Sequence, residues 1–131
     1  MAGTITISTL NNDTGVLATQ NGMNGIAKAW VNFTGSTAVI RAAFNVSSVT
    51  RNATGDYTIN FTTAMADINY CVSFNSSPSY AVAFGLEPAM ATTTTSLTEV
   101  APTTSAFRLQ CAVGGGTAYD PKYAYLVVHG N

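Results

Sequence analysis

Tyr57-Thr58-Ile59-Asn60-Phe61-Thr62 sets large apolar side chains on odd positions and small polar ones on even positions. A period of two sends the odd residues to one face of a strand and the even ones to the other, so one face is buried and one meets water. Just upstream, Val46-Ser47-Ser48-Val49-Thr50-Arg51 leads into Asn52-Ala53-Thr54-Gly55-Asp56, a run of turn formers. Strand, turn and strand together predict a hairpin at the centre of the fold.

Working outward, the same alternation recurs. In Ile26 to Phe33, Ala27, Ala29, Val31 and Phe33 share one face, and Lys28, Trp30 and Asn32 share the other. Thr37 to Phe44 predicts a strand in which Val39 and Arg41 oppose Ile40 and Ala42. Downstream, strands are expected at Asn69 to Ser76 and at Tyr80 to Leu86, the second ended by Glu87-Pro88, because proline donates no ladder hydrogen bond. Thr92 to Thr95 has β-branched stiffness suited to a strand, and Pro102 marks a further break. Ala106 to Val113 and Tyr123 to His129 are the last two strands, joined through Gly114-Gly115-Gly116 and a turn at Asp120-Pro121. Tyr123-Ala124-Tyr125-Leu126-Val127-Val128 is apolar on both faces, which predicts a central strand or one covered by another subunit.

About eight to ten short strands with closely spaced turns, and no helical period, predict an all-β chain folded as an antiparallel β-sandwich, jelly-roll-like or immunoglobulin-like in outline. Residues 25–131 form the expected sandwich domain. Residues 1–24 read as an arm: an alternating strand at Thr4 to Leu10, a turn at Asn11-Asn12-Asp13-Thr14-Gly15, and a second break from Gln20 to Gly25. Two readings of the arm stand, an attachment segment or the first strands of the sandwich.

Hydrophobic residues make up 47% of the chain and charged residues only 8%, against about 25% charged in ordinary globular proteins. Water is met by Ser, Thr and Asn. Such a surface is easily desolvated, which suits permanent protein contacts. A net charge of −1 argues against nucleic acid or an anionic membrane as the main partner. The first apolar stretch is short and alternates with Thr and Ser, so neither a signal peptide nor membrane insertion is expected.

Three segments carry a family resemblance. AKAWVNFTG, then IRAAFNVSSVT, then GDYTINFTTAM and the closing NY resemble, in order and spacing, a module of bacteriophage tail-fibre and related virion proteins. The similarity runs from Gly25 to Tyr70; elsewhere it is one of composition only. It implies a trimeric fibre or fibre-tip component at the outer surface of a virion, made in the host cytoplasm and engaged in host attachment. Its implied partners are two further copies of itself, other virion proteins, and a host surface glycan or protein receptor. A capsid decoration protein or head fibre is the variant that the short chain favours. The arm at residues 1–24 would then dock on another virion protein.

Trp30, flanked by Lys28 and Asn32, is an odd occupant of a solvent face. It reads either as a contact residue, since Trp is enriched where surfaces meet partners, or as a cap on the edge of its own core. With the doubly apolar last strand it gives the candidate subunit interface: Trp30, Tyr123, Tyr125 and Val127. Candidate receptor-facing positions lie in loops outside the resembling module, at Ser77, Tyr80, Thr94 and Tyr119. A second class of function is a small carbohydrate-binding module or hydrolase of β-sandwich form, with Trp30, Tyr80 and Tyr119 stacking on sugar rings.

Chemistry is sparse. His129 lies near the end of the sequence, where a histidine is more often a frayed surface residue than a catalytic base. Asp56 and Asp67 sit in turn-like breaks without the context of a glycosidase pair. No cluster has metal-ligand spacing, and the glycine triplet opens no helix, so catalytic residues, cofactors and metals are all expected to be absent. Six Asn-x-Ser/Thr triplets, at Asn12, Asn32, Asn45, Asn52, Asn60 and Asn75, are what a chain rich in these residues yields by chance. By strand parity Cys111 shares a face with Phe107 and Leu109, whereas Cys71 opposes Tyr70, Val72 and Phe74, so two free thiols are expected.

Overall fold

The computed structural model describes residues 9–12, 15–18, 25–77, 87–90, 100–113 and 117–130. Their strands are β1 (Thr9–Asn12), β2 (Gly15–Ala18), β3 (Ala29–Thr34), β4 (Val39–Phe44), β5 (Val46–Ala53), β6 (Asp56–Phe61), β7 (Cys71–Ser76), β8 (Glu87–Met90), β9 (Ala106–Val113), β10 (Thr117–Ala118) and β11 (Ala124–His129). The chain is an all-β sandwich of two antiparallel sheets. One sheet runs β10-β9-β6-β5, with β8 also on β9; the other runs β4-β3-β11-β7. Ala112 of β9 faces both Glu87 and Ala118, so β8 and β10 lie on opposite edges of β9. β1 and β2 pair with each other as a separate two-stranded ribbon, and Asn11, Asn12 and Gly15, expected in the turn, are paired strand residues.

The central hairpin forms as its alternation predicts, with β5 against β6 from Val46↔Phe61 to Ala53↔Asp56. Thr54 and Gly55 make its turn, and Gly55 takes φ +68°, a conformation that glycine reaches without a Cβ penalty. Tyr57, Ile59 and Phe61 point inward, as do Phe107, Leu109 and Cys111 of β9. From the facing sheet come Ala29, Val31 and Phe33 of β3 and Ala124, Leu126 and Val128 of β11. The two layers meet ring to ring at Phe33 and Tyr57, whose centroids are 5.1 Å apart, edge to face. As its apolar character requires, β11 is central, between β3 and β7.

Two expectations are corrected. In β4, Ile40 and Ala43, not Ile40 and Ala42, turn toward the core. The pairing jumps from Asn32↔Ala42 to Phe33↔Ile40, so Arg41 is the extra residue of a bulge and the parity flips at it. Ser47 does the same in β5, letting Val46 and Val49 both face inward, and its hydroxyl donates to the Asn60 carbonyl at 3.2 Å. Second, Glu87-Pro88 does not break strand structure: both residues lie within β8, with Pro88 opposite Cys111. Among the described residues β8 has a neighbour on one side only, and an edge tolerates a missing N–H. The strands expected at residues 80–86 and 92–95 and the 114–116 loop lie outside the described residues.

A single residue, Asn45, carries the chain from one sheet to the other, between Phe44 of β4 and Val46 of β5. It sits in the left-handed region at φ 53°, which Asn tolerates better than most residues. Its side-chain amide donates to the carbonyls of Lys28 at 3.0 Å and Thr63 at 3.1 Å, and its Oδ1 accepts from the Thr63 amide at 2.7 Å. These bonds tie the corner to both the approach to β3 and the exit of β6.

Candidate interaction face

Alternation along β3 and β11 puts every second side chain on the outer face of the β4-β3-β11-β7 sheet. The register then aligns them in rows. Phe44, Trp30, Val127 and Ser73 lie side by side across the four strands, and Ala42, Asn32, Tyr125 and Asn75 form the next row. Four large apolar side chains of these rows stay open to solvent: Phe44 at 54% exposure, Tyr125 at 44%, Trp30 at 38% and Val127 at 37%. Val39, on the same face, is 58% exposed. Thus Trp30, Tyr125 and Val127, chosen from the sequence as interface candidates, share one surface, and Phe44 joins them. Phe44 was missed because the parity flip at Arg41 decides which way it points.

Tyr123, the fourth candidate, precedes β11 and is half-buried. The Arg41 guanidinium lies 4.3 Å from its ring centroid and the Lys122 ammonium 5.4 Å, while Tyr125 stacks beside it at 6.4 Å. Of the receptor-facing candidates, Ser77 is bound to the same residue: its amide donates to the Tyr123 carbonyl at 2.8 Å, and its hydroxyl accepts from the Tyr123 amide at 2.9 Å. Tyr119 packs against the core, with its hydroxyl 2.9 Å from that of the buried Ser76. It therefore braces β7 against the loop after β10. Tyr80 and Thr94 lie outside the described residues.

The charged groups mostly hold the fold together. Asp120 accepts from Arg51 at both carboxylate oxygens, from the Gly55 amide at 2.9 Å and from the Tyr57 hydroxyl at 2.5 Å. Burial alone would raise its pKa, but these donors outweigh burial and hold the carboxyl below the usual range. Asp56 is likewise lowered, first by its bidentate Arg108 partner. Asp67 accepts from the Asn69 amide at 2.7 Å, closing a local turn. Asp56 thus belongs to an ion pair and Asp67 to a turn. His129 is not frayed but part of β11, exposed and directly opposite Cys71. Both cysteines are free, Cys71 exposed and Cys111 buried, as strand parity requires. Among the described residues no three potential metal ligands converge.

No family model matches the chain, and neither a curated protein nor a solved structure is detectably similar to it.

Proposed function

We propose that this chain is a non-enzymatic structural protein of a bacteriophage virion, a small tail fibre or fibre-tip component that self-associates as a homotrimer and meets the host surface. The observation that carries the self-association is the row Phe44–Trp30–Val127 on the outer face of the four-stranded sheet. Contiguous exposed apolar side chains of this size on a folded surface mark contact sites. A chain with 8% charged residues desolvates such a face at low cost. The virion assignment is supported by the resemblance over Gly25 to Tyr70, a span that contains β3, β4, β5 and β6 and so contributes to both sheets.

The test is the solution mass of the purified full chain by light scattering across a range of concentrations. The mass of a trimer, stable on dilution, supports the reading. A monomer at every concentration overturns self-trimerisation and moves the assignment to a decoration subunit that assembles only on the particle.

A further inference from the structure

The outer face has a second half, different in chemistry from the apolar row. There, two cations converge on an aromatic pair. Arg41 is the bulge residue of β4 and so projects outward, and its Nε donates to the Thr34 hydroxyl at 3.1 Å, which fixes the guanidinium over the Tyr123 ring. Lys122 approaches the same ring. The ion pairs among the described residues are Arg51–Asp120 and Arg108–Asp56, so neither Arg41 nor Lys122 is neutralised by a carboxylate there. Among the described residues, two positive charges thus gather at one spot with no carboxylate paired to either. Beside them Tyr125 is 44% exposed, and in register Asn32 and Asn75 flank it on the neighbouring strands.

We propose that Arg41, Lys122, Tyr123 and Tyr125 form a contact site for an acidic saccharide. Each group has a distinct task. The Tyr125 ring offers an apolar face to the C–H side of a sugar ring. Tyr123 holds the guanidinium flat by stacking, which leaves its outer N–H edge to grip a carboxylate in a two-pronged bond. Lys122 adds a mobile second charge. Asn75, exposed beside Tyr125, places an amide suited to ring hydroxyls. Two cations are too few for a nucleic acid, whose affinity is built from many phosphate contacts. This inference deepens the host-contact part of the proposed function and rests on that reading only for where the saccharide comes from.

The experiment is isothermal titration of the full chain at low ionic strength with three polymers: polygalacturonate, which carries a carboxylate on each sugar ring; dextran, which has rings without charge; and polyglutamate, which has charge without rings. Polygalacturonate is expected to bind at least about tenfold more tightly than either other polymer. The Arg41→Gln/Lys122→Gln double variant and Tyr125→Ala each lose about tenfold, whereas Tyr125→Phe keeps the affinity. The three substituted positions are exposed, and unchanged urea midpoints certify the folds. Equal binding of polyglutamate, no binding of polygalacturonate, or full binding by the double variant overturns the site. Trp30→Ser alters the mass by light scattering and leaves polygalacturonate affinity in place, so failure of the association and failure of the saccharide site are read separately.

Discussion

The Tyr57 hydroxyl donates to Asp120 Oδ1 at 2.5 Å, joining the start of β6 to a loop that follows β10. Tyr57 is fully buried, so its hydroxyl needs a partner, and Asp120 supplies a charged acceptor. The neighbouring Pro121 carbonyl accepts from the Gly35 amide at 2.9 Å, so the same loop also grips the β3–β4 turn of the other sheet. A Cβ at Gly35 would fall 2.5 Å from that carbonyl and 2.7 Å from the Tyr57 hydroxyl, which explains the glycine. Tyr57→Phe is expected to cost about 1–2 kcal/mol and Asp120→Asn about 2 kcal/mol in urea unfolding. The two losses are expected to be non-additive by about 1 kcal/mol or more, since the residues share one bond. Strict additivity would show that the hydroxyl and the carboxylate act independently.

The corner at Asn45 gives a second test. Asn45→Gly keeps the left-handed backbone and removes the three side-chain bonds, whereas Asn45→Ala removes the bonds and adds strain. Both variants are destabilised, and alanine is worse than glycine by about 1 kcal/mol. A glycine variant less stable than the alanine one would mean that the corner is held by chain entropy and not by its φ.

What was legible in the sequence, and what was not, follows from the range of the forces involved. Alternation in β3, β6 and β11 could be read because each strand's own residues choose the buried face, and the doubly apolar β11 announced its central place. The bulges at Arg41 and Ser47 were illegible because they are set by the partner strand. With them went the true partners of Ile40 and the exposure of Phe44. Asn45 read only as a chance glycosylation triplet, since its hydrogen-bond partners Lys28 and Thr63 lie 17 and 18 residues away. Asp120 read as an ordinary turn residue for the same reason, its tyrosine partner being 63 residues distant. On the outer face of the four-stranded sheet, the exposure of Trp30, Tyr125 and Val127 follows from parity; the Arg41–Tyr123 stack does not, because a bulge aims Arg41.

Self-association makes stability depend on concentration, because mass action favours the folded assembly. The unfolding temperature of the wild-type chain is expected to rise with protein concentration. Trp30→Ser or Val127→Ser removes apolar area from the centre of the exposed row, and either one flattens that dependence while leaving the monomer's stability nearly unchanged. Differential scanning calorimetry at several concentrations checks this. A wild-type temperature that does not move with concentration would count against the proposed association.

Acid and alkali should act on different groups. Asp56 and Asp120 have folded-state pKa values lowered by their partners, so their stabilisation is present above the unfolded value near 3.9 and is lost as pH falls through the folded values. Stability is therefore expected to decline below about pH 4. On the other side, burial pushes Tyr70 and Cys111 up to about 12 and raises Tyr57 as well. Stabilisation from these groups is complete below their unfolded values, about 8.5 for Cys and about 10 for Tyr, and fades as pH climbs toward the folded ones. Urea midpoints across pH measure both limbs. An Asp56→Asn/Asp120→Asn double variant with an unaltered acid limb would remove these carboxylates as its cause.

The two thiols should separate in reactivity. Cys71 is exposed at the start of β7, whereas Cys111 is 2% exposed and packed with Phe107 and Leu109 against the facing sheet. Thiolate is the reactive species, and burial pushes the Cys111 thiol up to about 12, so both access and ionisation protect it. A coloured disulfide reagent at neutral pH is expected to modify Cys71 promptly and Cys111 only as fast as the core opens. Adding urea past the midpoint releases the second thiol at once. Cys71→Ser removes the fast phase without loss of stability, while Cys111→Ser buries a hydroxyl in an apolar layer and costs about 1–3 kcal/mol. Rapid modification of both thiols in the folded chain would mean that β9 does not face the core, and the packing of the two sheets would have to be redrawn around it.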